Sequence, residues 1–258
     1  MKTLVVLVLT LCAFAQDPQK PVPQRDSAAV RRLEVFDAKV YTPVAAGLRE
    51  LTFEFPMPET ALPGLVLDIS WKTPDATQVT ARVTDKAPAS ARQQMQLLAD
   101  LINDPKRAEG QEFRTNAHGV AKQVIGESLA AKLAGDDLAT LSETEVKVTA
   151  RSEASRRQFK EQVLTFDAKG LVTKATVTAP NGLVTVIETT WTEKSNRWFQ
   201  SSVAMSVGKE RKSIAFEYGD VGGFTLLQKM TASDGKNASE VLEVRRPRAN
   251  APTSKPSK

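Results

Sequence analysis

Two stretches of the chain alternate apolar and polar residues with a period of two. In the first, Leu51, Phe53 and Phe55 are interleaved with Glu50, Thr52 and Glu54. Leu65, Leu67, Ile69 and Trp71 then enclose Asp68 and Ser70, and Val79, Ala81 and Val83 enclose Thr80 and Arg82. That period predicts antiparallel strands with one buried and one wet face. Pro56, Pro58, Pro63, Gly64 and Pro74 punctuate the connections. The second stretch runs from about Arg157 to Val244. Leu164 and Phe166, Leu171 to Thr178, and Val184 to Trp191 are separated by Asp167-Ala168-Lys169-Gly170 and Pro180-Asn181-Gly182. The latter is a strong hairpin signal. Phe199, Val203, Met205 and Val207 share one face of the next strand. Ile214, Phe216 and Tyr218, then Phe224, Leu226 and Met230, then Leu242 and Val244 follow after short turns. Such connections are too short for crossovers, so consecutive strands are expected to pair as an antiparallel meander.

Helical spacing appears in three places. Ser27 can cap a helix running to about Tyr41, with Val30, Leu33 and Val40 on its apolar side, and Pro43 argues against its continuation. Pro88 suits a first helical turn, followed by Ala91, Met95, Leu98 and Ile102 up to Asn103-Asp104-Pro105. Val120, Val124, Ile125, Leu129 and Leu133 form a third pattern, closed by Gly135. Helix, strands, two helices and a long run of strands together predict an α+β domain. Its curved antiparallel sheet, or incomplete β-barrel, has helices covering one face. A split into two domains near residue 142 is the alternative.

The ends of the chain change the picture. Lys2, the apolar run Leu4 to Leu11, and Ala13-Phe14-Ala15 make residues 1–15 a secretory signal peptide with a cut before Gln16. That run is too short for a permanent bilayer span. An uncleaved anchor, or lipidation at Cys12, remains the alternative, although Leu11 stands where a lipobox wants a small residue. Residues 16–26 read as a Pro/Gln linker, 27–244 as the folded body, and 245–258 as a basic disordered tail. The formal charge is +5. Without Lys2 of the signal peptide and the five basic residues of the tail (Arg245, Arg246, Arg248, Lys255, Lys258), residues 16–244 keep 29 of the 35 basic residues against 30 acidic residues. The near-neutral body speaks against a nucleic-acid-binding domain.

Candidate chemistry is sparse. The single histidine, His118, rules out a multi-histidine zinc site, and removal of the signal peptide takes away the single cysteine. His118 reads as a loop residue before a helix, more suited to the surface than to a general base. There is no Gly-x-Ser-x-Gly elbow and no phosphate-cradling glycine loop. Asp136, Asp137, Glu143 and Glu145 form the densest acidic group, best read as a solvated loop in which Asp136 caps a short helix. Asn237-Ala238-Ser239 is a sequon in a turn. No catalytic residue, metal site or cofactor is assigned.

The stretch Ala28 to Val83 resembles the start of the lipoprotein-localisation carriers, the LolA/LolB-like family. The resemblance rests on the early helix, on Gly47-Leu48-Arg49-Glu50-Leu51-Thr52-Phe53, and on the strand Leu65 to Trp71 running into Lys72-Thr73-Pro74-Asp75. The insertion of helices between two groups of strands is similar too. The resemblance implies an incomplete antiparallel barrel whose cavity takes acyl chains without catalysis.

The expectation is therefore an exported, periplasmic or extracellular, non-catalytic carrier of a lipid or acylated protein. Its cavity would be lined by Phe53, Phe55, Leu67, Ile69, Trp71, Leu98, Ile102, Trp191, Phe199, Met205, Phe216 and Phe224. For each of these, filled core is the competing reading. The basic tail offers contact with an anionic envelope surface. The alternative functions are an envelope interaction module with a solid core and, less favoured, an enzyme of unrecognised type built around His118.

Overall fold

The computed structural model describes residues 22–57, 59, 61–73, 76–234 and 238–250. The expected signal peptide, most of the expected linker, Pro74-Asp75, Asn237 and residues 251–258 lie outside them. The first helix, α1 (Ser27–Lys39), is capped by Asp26 rather than Ser27, because the Asp26 carboxylate accepts the Ala28 amide. β1 (Glu50–Pro56), β2 (Leu65–Lys72) and β3 (Ala76–Val83) follow. They pair in an unbroken antiparallel register, with Phe53 opposite Ile69 and Ile69 opposite Val79. Helix α2 (Ala89–Asn103) has Pro88 at its N-cap and packs along β3. The Asn103 side chain bonds both Ala81 N–H and Ala81 C=O, so it blunts that sheet edge as a neighbouring strand would.

The third helical pattern is divided. Helix α3 spans Gln111–Ile125 and stops at Gly126, whose φ of +65° admits no side chain without strain. Helix α4 (Leu129–Lys132) is a separate turn. Its N-terminal amides at Leu129 and Ala130 are held by the Asp37 carboxylate of α1. The acidic group at 136–145 belongs to a hairpin of β4 (Asp137–Ser142) and β5 (Glu145–Thr149). Asp136 is fully buried and accepts the Arg151 and Ser152 amides at the start of α5 (Glu153–Gln158).

From there the expected meander holds: β6 (Glu161–Phe166), β7 (Val172–Thr178), β8 (Val184–Lys194), β9 (Arg197–Val207), β10 (Glu210–Val221), β11 (Phe224–Ser233) and β12 (Ala238–Glu243). With β4 and β5 they form a nine-stranded antiparallel sheet in sequence order. Residues 245–249 are not disordered. They form β13 (Arg245–Ala249), which pairs with β1 and completes the four-stranded sheet β13-β1-β2-β3. Thus β12 lies at the edge of one sheet and β13 at the edge of the other, and Val244 between them is 7% exposed. One bent strand joins the two sheets. Two of the tail's arginines are spent in this join: Arg245 pairs with Glu243, and Arg246 reaches Glu54 at 3.1 Å.

Two cores result. The first joins β1–β3, α2, α3 and the start of β11 through Leu51, Ile69, Trp71, Met95, Ala121 and Phe224. The second lies between α1 and strands β4–β7, through Leu33, Phe36, Leu138, Val146 and Leu164.

Candidate functional site

Opposed residues in an antiparallel pair project to the same face. Leu164 stands opposite Ala175, Ala175 opposite Ile187, Ile187 opposite Met205, and Met205 opposite Lys212. Leu164 belongs to the second core. The face that α1 covers at β4–β6 therefore continues across β7–β10. Further on, Phe216 opposes Met230, which packs against the first core. Between the two cores this face carries Ile187, Val203, Met205, Val207, Ile214 and Phe216, and none of the six joins either cluster. Val203 is buried by its neighbours in the sheet, and the other five are half-buried. The opposite face is mixed: Glu188, Ser202, Ser206, Arg211 and Ser213 lie beside Val186, Ala204 and Ala215, with Arg211 and Glu188 paired at 2.9 Å.

The strip is slender. Three strands about 4.8 Å apart make it about 10 Å wide, and Val203 to Val207 spans about 13 Å at about 3.3 Å per residue. At the β8–β9 end, bulges opposite Trp191 and Tyr218 interrupt the alternation. Phe199 there stacks on Tyr41 at 4.9 Å and meets Tyr218 edge-on at 5.4 Å. The Tyr41 hydroxyl accepts the Thr225 amide at 3.0 Å, and burial pushes its pKa up. At the other end, beside the turn at Gly208, the exposed Glu210 and Lys212 mark the rim.

The twelve candidate lining residues separate into groups. Phe53, Leu67, Ile69, Trp71, Ile102 and Phe224 are at most 3% exposed, and Phe55 and Leu98 pack against them: all eight belong to the first core. The helices there lie directly on the sheet. Trp191 packs into the second core, 5.5 Å from Phe36, and donates its indole N–H to Val172 C=O. Phe199 sits in the aromatic cluster. Only Met205 and Phe216 lie on the uncovered strip. Ile187, which sequence reasoning passed over, forms its β8 side opposite Met205; the hairpin register through Asn181-Gly182 was the signal that places it.

His118 lies within α3, not in a loop, and its Nδ1 is 2.8 Å from the Thr77 hydroxyl. Among the described residues no cluster of three or more His, Cys, Asp or Glu is placed to hold a metal ion. No helix among them is long and apolar enough to cross a membrane. A second apolar feature is a cleft of about 500 Å³ between α2 and residues 61–63, lined by Leu62, Met95, Leu98 and Leu101. Leu97 at its edge is 61% exposed.

Comparison of the chain with protein-family models, curated proteins and solved structures finds no match.

Proposed function

We propose that the protein is an exported, non-catalytic binder that holds one acyl chain, or a hydrophobe of that girth, across β8–β10. The observation that carries this reading is a half-buried apolar strip on one face of the long sheet that belongs to neither packed core. An uncovered apolar strip costs solubility unless it has a use. Its length suits a single acyl chain, which occupies one leaflet, or about 15 Å, of a bilayer core. The resemblance to acyl-chain carriers and the signal-like start of the chain support the same reading. Because Arg245 and Arg246 are ion-paired within the fold, contact with an anionic envelope surface falls to Arg248 and residues 251–258.

A fluorescent fatty-acid probe tests this. The protein should bind it saturably, and a ligand at a hundred times its Kd should add about 2.7 kcal/mol of stability. Ile187→Asp and Met205→Glu should remove both effects while circular dichroism stays unchanged. No probe uptake, or equal uptake by both variants, would sink the reading.

A second reading, an envelope interaction module, rests on the exposed Leu97 beside the α2 cleft. Leu97→Glu would then abolish capture of a protein partner without changing probe binding.

A further inference from the structure

The segment before α1 adds one more bridge to the open edge of the nine-stranded sheet. Arg25 pairs with Leu138 in parallel: the Leu138 amide donates to Gln24 C=O at 2.8 Å, and the Asp26 amide donates to Leu138 C=O at 2.9 Å. Bridged residues project to the same side. The Arg25 side chain therefore leaves the backbone on the face of Leu138, which is 3% exposed within the second core. There the Arg25 Nε and Nη2 atoms are closed off from solvent and make no hydrogen bond.

A guanidinium does not escape burial by losing its proton, as a lysine or histidine would. The two closed-off donors are left without a partner, and an unpaired buried donor is costly. The carboxylates nearest in the chain and across the bridge are engaged elsewhere. Asp26 accepts the Ala28 and Thr140 amides. Asp137 accepts the Gln24 amide through one oxygen and Arg151 Nε through the other. The two orphaned donors, one Nε–H and one Nη–H, form the side edge of the guanidinium. That edge grips a carboxylate or phosphate through two parallel bonds.

We propose that Arg25 is an oxyanion site, in which its Nε/Nη2 edge takes a carboxylate or phosphate group of a ligand at the α1–β4 edge of the sheet. The site is separate from the apolar strip of β8–β10 and stands whether or not that strip binds a ligand. Beyond β4, the terminal strand of its sheet, only residues 24–26 add a further bridge among the described residues.

The test follows thermal stability at constant ionic strength while chloride is replaced by phosphate or, separately, by acetate. The wild-type Tm should rise by a few degrees and saturate with one of the two anions, and which one it is separates a phosphate-type from a carboxylate-type ligand. Arg25→Met removes the two orphaned donors and should abolish the anion response. Arg25→Lys keeps the charge without the fork. It should weaken the anion at least tenfold, which gives a readout even where Arg25→Met fails to fold. A wild-type Tm indifferent to both anions would overturn the proposal. So would an anion response that survives in either variant at full strength, since that places the anion elsewhere.

Discussion

Ile69 and Ile187 are both mid-strand isoleucines on the inward face of an antiparallel sheet. Ile69, on β2, is 1% exposed inside a cluster that also holds Met95, Ile102 and Ala117 from the helices. Ile187, on β8, is half-buried and touches neither core. Alternation determines which face of a strand is apolar, although around Ile187 it is broken by Val184 and Val186 on the other face. Whether that face is covered depends on how many helices are available and where the connections deliver them. α2 and α3 follow β3 directly and return onto β1–β3. α1 precedes the strands and reaches the far end of the meander. Among the described residues no helix lies between β6 and β12, so the apolar side of the middle of the long sheet joins neither core.

The largest test of this contrast is Ile69→Ala. The site is fully enclosed and cannot collapse freely, so the expected loss is about 2–5 kcal/mol in urea unfolding. Ile187→Ala removes the same atoms from a half-open site. Its loss should be below about 1 kcal/mol, because water and neighbouring side chains already share the space. Equal losses at the two positions would mean that the strip is covered in solution and would remove the basis for a ligand there.

Much of this architecture was legible in the residues. Turn chemistry at Asn181-Gly182 and Ser195-Asn196 specified hairpins, and the alternation between them specified the meander. Both turns bear this out: Gly182, Ser195 and Asn196 all adopt positive φ. What escaped has physical causes. The β4–β5 hairpin contributes only Leu138, Val146 and Val148 to the core, next to acidic residues that look like a loop. The first two turns of α3, Gln111 to His118, bury only Ala117, so the helical pattern surfaces only at Val120. β13 reads Arg-Arg-Pro-Arg-Ala, a composition that suggests disorder. It is held instead by backbone pairing with β1 and by the Glu54 carboxylate of that strand, neither of which has a local signature. Eight of the candidate lining residues lie in the first core for a related reason: periodicity marks the inward side of a strand but carries no information about the layer above it.

The smallest expected effect concerns the covered end of the long sheet, where charge rather than packing closes the edge. Asp137 accepts Arg151 Nε at 2.6 Å and the Gln24 amide at 2.9 Å. The Arg151 hydrogen bond, chiefly, holds its carboxyl below the usual carboxylate range. A lowered pKa means that the unfolded chain takes up the proton first. The contribution is complete above the unfolded value of about 3.9 and is lost as pH falls through the folded value. Both groups are partly solvated, so the gain is small and falls with salt. Arg151→Gln should therefore melt slightly below the wild type at pH 6, and the gap should close below about pH 4. Glu161, held low by Lys147 on the same end of the sheet, titrates alike in both proteins and cancels in the difference. A gap that persisted unchanged into acid would show that Arg151 acts through packing at the start of α5. The edge would then be closed in the same way as the core around Ile69, and charge would have no special part in it.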